Sequence, residues 1–232
     1  MLEITRLCKE YRDGSQTVTA VMVDSLVLQA GEQVALTGPS GSGKTTLLHL
    51  VSGLLTPTSG EVRFAGTVVS AMPETWRDAW RAKTVGYVFQ KLNLLAGLSV
   101  LENLLVAMSF AGTVPQQDRR RWACQLLTQV GLADRLDSRP HRLSTGEQQR
   151  VAIARAVVNK PRLILADEPT ASLDQANALK ALDLLRQLAG ETNSILLVAT
   201  HDRQIMSLLP RLYPLRQPER QVNSDAVCHS LA

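Results

Sequence analysis

Residues 38–45 have the types and spacing needed to bind the phosphates of a nucleotide. The stretch GPSGSGKT satisfies the pattern G-x-x-x-x-G-K-[ST] in full and lies between a predicted strand and a predicted helix. Gly41 and Gly43 let backbone N–H groups wrap the β- and γ-phosphates. Lys44 supplies positive charge, and the Thr45 hydroxyl can ligate Mg²⁺. The predicted nucleotide-binding residues of this loop are Gly38, Pro39, Ser40, Gly41, Ser42, Gly43, Lys44, Thr45 and Thr46.

A second candidate is the pair of acids that ends the apolar run LILADE, residues 163–168. A buried strand of a parallel sheet places such acids at the edge where open α/β folds bind ligands. Asp167 is predicted to lie near the Mg²⁺, through a water molecule, and Glu168 to polarise the attacking water as general base. Alone, the pair would more simply cap the next element. Together with the phosphate-binding loop it indicates an NTPase.

A third stretch, HRLSTGEQQRVAIARAV at residues 141–157, predicts a helix that begins beside an anion. Ser144 and Glu147 form the S-x-x-E pattern of a capping box, and Gly146 leaves the first turn bare. Free N–H groups and the positive end of the helix dipole favour negative charge there. No lysine lies within the stretch, so the residues themselves leave the source of the anion open.

These stretches need elements that hold them in place. Hydrophobic alternation and apolar runs predict strands at residues 2–7, 18–28, 32–38, 60–69 (a hairpin), 84–90, 162–169 and 194–202. The last two runs are continuously apolar, which is typical of strands buried on both faces of a parallel sheet, and a crossover helix is predicted at residues 173–190 between them.

The order of the elements predicts one α/β domain over residues 1–232, with a P-loop NTPase core and a mainly parallel sheet. Residues 1–90 and 160–216 form the predicted catalytic core, which includes an N-terminal antiparallel β subdomain. Residues 91–159 form an inserted helical subdomain that carries the third stretch, and its first predicted helix follows a second capping box at Ser99 and Glu102. Residues 217–232 form a polar tail.

The amino-acid composition limits the kinds of binding partner and the cellular compartment that we expect for this chain. The net charge of +4 permits an anionic partner, but aromatic residues make up only 4% of the chain, so no nucleic-acid partner is expected. Cys8, Cys124 and Cys228 are too widely spaced for a zinc site or a disulfide framework. The N-terminal residues do not resemble a signal peptide, and the chain has no apolar run of about 18 residues. We therefore expect a cytoplasmic protein.

Five further motifs, which follow the family order together with the phosphate-binding loop and the acid pair, resemble those of the ATP-binding cassette (ABC) ATPases. LSTGEQQR is similar to the LSGGQ signature, residues 172–174 (SLD) to the D-loop, and Gln90 in YVFQ to the Q-loop glutamine. His201 in LVATHD is similar to the switch histidine. Tyr11, which lies 27 residues before Gly38, is similar to the aromatic residue that stacks on adenine. The alternatives are an ordinary loop glutamine, a strand-end histidine and a hairpin-turn tyrosine.

The resemblance covers about residues 2–216 and implies the ABC ATPase fold, with ATP and Mg²⁺ as cofactors. It also implies a head-to-tail homodimer, in which the signature of one copy faces the phosphate-binding loop of the other. The implied catalytic residues are Glu168 and His201. Thr45, Gln90 and Asp167 are implied near the metal, and Ser144, Thr145, Gly146 and Glu147 are implied to close on the partner's γ-phosphate, which supplies the missing anion.

The signature departs from the family pattern at two positions. Thr145 replaces a glycine, which restricts the backbone if the family conformation has a positive φ there. Glu147 replaces a glutamine and adds a negative charge near the expected γ-phosphate. The capping box can turn this carboxylate back onto the Ser144 N–H. The sequence predicts retained ATPase activity, and a slow or weakened site is the alternative.

An ABC ATPase domain without fused membrane spans is expected to dock on separate permease subunits, at the cytoplasmic face of the membrane. In the family the docking groove follows the Q-loop, here around residues 91–106. Leu94, Leu95, Leu98 and Leu101 lie in this segment, and the alternative is that they belong to the core. The motifs resemble the lipoprotein-release, macrolide-efflux and cell-division branch. A solute-importer ATPase, a soluble ABC ATPase of iron–sulfur assembly and a P-loop kinase are the alternatives.

Overall fold

The computed structural model describes residues 1–13 and 16–217 as two β-sheets with helices around them. The predicted polar tail, apart from Gln217, lies outside the described residues, as does Cys228. The strands are β1 Leu2–Asp13, β2 Gln16–Leu28, β3 Gln33–Thr37, β4 Ser59–Phe64, β5 Thr67–Val68, β6 Val85–Val88, β7 Leu163–Asp167, β8 Ile195–Ala199 and β9 Arg211–Pro214. The helices are α1 Lys44–Val51, α2 Glu74–Thr84, α3 Val100–Ala111, α4 Gln116–Gln129, α5 Thr145–Val157, α6 Gln175–Glu191 and α7 Arg203–Ser207.

The first sheet is antiparallel, with strand order β2-β1-β4-β5. Its strands alternate between buried and exposed residues, as the sequence predicts for a sheet with one covered face. Leu2, Ile4 and Leu7 of β1 are buried and form a cluster with Leu47 and Leu48 of α1. The first sheet therefore packs against the helix that follows the phosphate-binding loop.

The second sheet is parallel, with strand order β6-β7-β8-β3-β9. All residues of β7 and β8 are buried, which confirms the prediction of strands covered on both faces. Leu163 and Leu165 join the cluster with β1 and α1, whereas Ile164 and Ala166 join the cluster with the helices. This alternation places the sheet between two hydrophobic layers and confirms the α/β class.

The second layer contains α3, α4, α5 and α6. Both predicted capping boxes are present, at Ser99 with Glu102 and at Ser144 with Glu147. Buried Asn103 of α3 donates to the carbonyls of Leu95 and Ser99, which fixes the chain just before the helix. These local bonds explain where α3 and α5 begin.

Three elements, α2, α7 and β9, are absent from the sequence expectations, and α7 is a helix of only five residues. No residue of α2 is fully buried and most of its residues are polar, so it contains no apolar run, although Trp80 packs partly against Phe64. The strand β9 is a short edge strand with no buried residue, and it is defined by its pairing with β3. Within the described parts of the chain, no helix has both the length and the hydrophobicity to cross a bilayer.

The close approach of α5 to β6 gives a stability prediction. A Cβ atom at Gly86 would lie 2.2 Å from the Ala156 carbonyl oxygen, so Gly86→Ala must push α5 away from the sheet. We expect a loss of about 1–3 kcal/mol of unfolding free energy, measured by urea denaturation. Gly190→Ala is the matched control, because a Cβ there would meet no atom within 4 Å and α6 gains a better helix former. Equal midpoints for the two variants would contradict this close packing.

Candidate functional site

The phosphate-binding loop connects β3 to α1. Gly43 has a φ of 89°, and a Cβ there would lie 2.2 Å from the Ala20 carbonyl oxygen, so only glycine fits beneath β2. The Lys44 ammonium is nearly buried and donates to the carbonyl oxygens of Gly38 at 2.8 Å and Pro39 at 3.0 Å. The loop thus curls around the lysine, and α1 begins with free N–H groups facing the same space.

Asp167 ends β7 beside this loop and is 4% exposed. Burial raises the pKa of its carboxyl group, the Thr45 hydroxyl lowers this pKa as a hydrogen-bond donor, and the nearby Glu168 charge raises it. A buried carboxylate next to a hydroxyl offers oxygen ligands, which suit Mg²⁺. Among the described residues no group of three or more acidic, histidine or cysteine side chains could hold a metal. Two protein oxygens and a nucleotide's phosphates therefore fit this ion better than a protein cage.

Glu168 and His201 meet at the carboxyl ends of β7 and β8. Glu168 Oε1 lies 2.7 Å from His201 Nδ1, and the Glu168 N–H donates to the Ala199 carbonyl oxygen. The glutamate side chain is 12% exposed and the histidine 71% exposed. Glu168 has a φ of 45°, in the left-handed region, which costs about 1–2 kcal/mol for a residue with a Cβ. Strain of this kind is concentrated at functional sites, where the fold holds a side chain in a required direction.

One open cavity of about 640 Å³ brings most of the predicted residues together. Its lining includes Ser40, Gly41, Gly43, Lys44, Thr45, Thr46, Gln90, Asp167, Glu168 and His201. Val18, Thr19 and Ala20 of β2 also line it, and no sequence pattern marks them because they belong to another sheet. Tyr11 does not line the cavity. It is exposed and pairs with Val18 across β1 and β2, which places it at the cavity's margin.

The signature residues lie in a separate cavity of about 530 Å³, which shares no lining residue with the first. Its lining is Ser144, Thr145, Gly146, Glu147, Arg150, Ser172, Leu173, Asp174 and Asn177. The D-loop motif therefore lies beside the signature, where Asp174 caps α6 through the Asn177 N–H. The structure thus does not bring Ser144 and Lys44 together within one copy of the chain.

The backbone at the start of α5 shows whether threonine at position 145 is strained. Thr145 is the first residue of the helix and has no positive φ, so its Cβ causes no backbone strain. Glu147 turns back as the capping box predicts, and its Oε2 accepts from the Ser144 N–H at 2.8 Å. Its Oε1 accepts from Arg135 Nε at 3.1 Å. Arg135 was not predicted, because it lies 12 residues away and no local pattern marks the contact.

Comparison with known proteins decides the family. The family model described as ABC transporter matches residues 22–171. The chain belongs to the ABC transporter ATPases. It therefore uses ATP and Mg²⁺ and hydrolyses ATP, and the resemblance drawn from the motifs is confirmed.

The relatives of this ABC ATPase include proteins of two kinds of system. A lipoprotein-releasing system ATP-binding protein, LolD, from Psychrobacter arcticus is 44% identical over 216 residues, which cover 93% of this chain and 96% of the relative. A macrolide export ATP-binding/permease protein, MacB, from Syntrophobacter fumaroxidans is 40% identical over 98% of this chain and 32% of that protein. A dimeric, post-hydrolysis structure of the ATP-binding cassette MJ0796 with ADP and Pi has a TM-score of 0.86 and 34% identity, over 95% of this chain and 97% of that one.

The geometry of Glu168 gives a test of its role in hydrolysis. We expect Glu168→Gln to bind ATP normally and to lower the steady-state hydrolysis rate by about a hundred-fold or more, because the amide cannot accept a proton from water. Phosphate release and equilibrium nucleotide binding are the measurements. Asp202→Asn is the matched control: it also changes an acid near His201 to an amide, but asparagine preserves the N-cap of α7. Normal turnover by Glu168→Gln would exclude Glu168 as the base.

Proposed function

We propose that this chain is the ATPase of a lipoprotein-release or macrolide-efflux type system, in which two copies join head to tail around ATP to drive a separate permease. The observation that carries the proposal is the division of the site. The phosphate-binding loop and the acids line one cavity, whereas the signature lines another on the same chain. Only a second copy can place a signature opposite a phosphate-binding loop.

Gly146 supports an occupant from outside the chain. Its backbone is not in the left-handed region, and a Cβ would lie 3.5 Å or more from its nearest neighbour in the chain, Asn177. Neither strain nor internal crowding therefore requires glycine at this position. A bare backbone at the first turn of α5 instead allows the close approach of a phosphate.

Within the first cavity each residue has a role that its position supports. The backbone of residues 38–45 and the Lys44 ammonium bind the β- and γ-phosphates. Thr45, Asp167 and Gln90 lie around the place of the Mg²⁺, Asp167 through water. When bound, the ion offsets the charge that develops on the phosphates. Tyr11, beside Val18 at the margin, stacks on adenine.

The pairing of Glu168 with His201 orients the general base. His201 Nδ1 engages Oε1 of the carboxylate, which leaves Oε2 to take the proton from the attacking water. The histidine itself is mostly exposed, so its free nitrogen can reach the γ-phosphate. Glu168 has a left-handed backbone, and its side chain lines the cavity.

The permease docks at residues 91–106, at the cytoplasmic face of the membrane, through the exposed part of that segment. Leu95 is 44% exposed and Leu98 is half-buried, so these two can contact a partner. Leu94 packs partly on the helical core, and Leu101 is buried in it. The alternative interpretation of these leucines as core therefore applies to Leu101 and in part to Leu94.

The lipoprotein-release branch is favoured by the identity of 44% to LolD over nearly all of both chains. MacB supports the same branch, and the chain corresponds to about a third of that longer protein. The resemblance to this branch implies a four-span permease that transmits motion across the membrane, and we propose such a partner for this chain. A solute importer is the second candidate.

The dimer proposal predicts concentration-dependent catalysis. We expect hydrolysis per molecule to fall on dilution, and size-exclusion chromatography of Glu168→Gln with ATP to show a dimer. Gly146→Ala should fold normally but lose most of this dimer, since its Cβ faces the partner's phosphate. Gly190→Ala, whose Cβ also meets nothing within 4 Å, is the control. Turnover per molecule that stays constant at every dilution would overturn the proposal.

The docking proposal predicts a specific loss of permease binding. We expect a tagged chain, purified from solubilised membranes of its own organism, to carry a four-span membrane protein. Leu95→Asp should lower its recovery by about ten-fold. Leu212→Asp is the control, because Leu212 is 53% exposed on β9, at the opposite edge of the parallel sheet from β6. A permease with more spans would favour the importer, and a wholly soluble complex would favour the iron–sulfur assembly type.

A further inference from the structure

The signature carries a carboxylate where the γ-phosphate of a second copy must approach. Glu147 accepts three hydrogen bonds: from the Ser144 N–H at 2.8 Å, from the Ser144 hydroxyl at 2.9 Å and from Arg135 Nε at 3.1 Å. The bonds to Ser144 and, less strongly, the contact with Arg135 lower the pKa of Glu147. The carboxylate is therefore ionised at neutral pH.

The hydrogen bonds to Glu147 engage the Ser144 hydroxyl, which is the group expected to bind the nucleotide of the partner copy. The Ser144 hydroxyl accepts from the Glu147 N–H at 3.3 Å and gives its only proton to Glu147 Oε2. A phosphate can receive that proton only if the hydroxyl leaves the carboxylate. Without a neighbouring positive charge, the Glu147 carboxylate would oppose phosphate binding in two ways. It retains the hydrogen bond from the Ser144 hydroxyl, and its charge repels the phosphate.

Arg135 counters both effects. Its guanidinium binds Oε1, the oxygen that does not contact Ser144, and so turns the charge of Glu147 away from the hydroxyl. The glutamate side chain is 20% exposed and the arginine 52% exposed, so the pair is partly shielded from water. A charge-assisted hydrogen bond of this type weakens the hold of the carboxylate on its other donors.

Arg135 is held in place from outside α5. It ends a short 3₁₀ turn, Ala133–Arg135, and the next residues bind the start of α3. The Leu136 carbonyl accepts from the Leu101 N–H at 3.0 Å, and the Ser138 carbonyl accepts from the Val100 N–H at 2.9 Å. The backbone next to Arg135 is thus anchored to α3, and its guanidinium reaches across to Glu147 on α5.

We propose that Arg135 is a positioning residue for ATP hydrolysis, which neutralises and redirects Glu147 so that Ser144 can bind the γ-phosphate of the partner copy. The inference rests on the head-to-tail dimer proposed above. This role of Arg135 explains how a glutamate in the signature is compatible with ATP hydrolysis. It differs from a direct role, in which the exposed guanidinium would itself bind the partner's phosphate.

A double-mutant cycle separates these roles. Arg135→Ala and Glu147→Gln are combined in the Glu168→Gln chain, and the ATP concentration that gives half-maximal dimerisation is measured by analytical ultracentrifugation. We expect Arg135→Ala to raise this concentration about five-fold with glutamate at position 147, and less than about two-fold with glutamine there. Binding of ATP to the monomer, measured at protein concentrations too low for dimers, should not change. Arg135→Lys should recover part of the loss, since it restores the charge.

Arg121→Ala is the matched control, because it removes another Arg–carboxylate pair, with Asp118 on α4, and should leave dimerisation unchanged. Urea midpoints check the folding of each variant. An equal effect of Arg135→Ala with glutamate and with glutamine would overturn the proposal in favour of direct phosphate binding. No effect in either background would overturn it as well. Failure of the Glu168→Gln chain itself to dimerise would instead overturn the head-to-tail dimer, and this inference with it.

Discussion

The parallel register of β3, β7 and β8 is the constraint on which the nucleotide site depends. Asp167 pairs with Ala199, and Ala199 pairs with Leu36, so the three strands end level. This alignment brings the phosphate-binding loop after β3, the acids after β7 and His201 after β8 to one edge. A slip of one residue would turn every side chain of a strand to the other face. The two hydrophobic layers, which contact alternate residues of β7, prevent such a slip.

The sequence predicts those parts of the site that are encoded locally. The phosphate-binding loop, the capping boxes and the buried strands each depend on neighbours within about ten residues, and all are present. What could not be predicted depends on contacts between distant segments. The β2 residues beside the phosphates come from another sheet, and Arg135 reaches Glu147 from a separate turn. The mostly polar helix α2 has no fully buried residue and the edge strand β9 has only four residues, so neither contains an apolar run that marks it in the sequence.

The phosphate-binding cavity and the signature, which form the two halves of the composite site, differ in the partners that their polar groups have within one copy. In the first, Lys44 and Asp167 are nearly buried, and a ligand with phosphates and a cation completes the charges around them. In the second, Ser144, Glu147 and Arg135 satisfy one another at a mostly exposed helix start. Because the hydrogen-bonding groups of the signature already have partners within the single copy, some of these bonds must break when two copies close into a dimer. Closure is therefore an exchange of bonds with a small net free energy, which suits a dimer that must open again after hydrolysis.

The signature helix is also fixed to the loop that follows Gln90. Arg155 of α5 donates to the carbonyl oxygens of Leu92 at 2.7 Å and Asn93 at 2.6 Å. Burial lowers the pKa of this guanidinium, and no carboxylate of the described residues lies within salt-bridge distance of it. A partly buried cation that loses its carbonyl partners costs free energy, so these bonds favour movement of the loop together with α5. The segment proposed to contact the permease and the signature helix are thus joined directly, by hydrogen bonds that do not involve the parallel sheet.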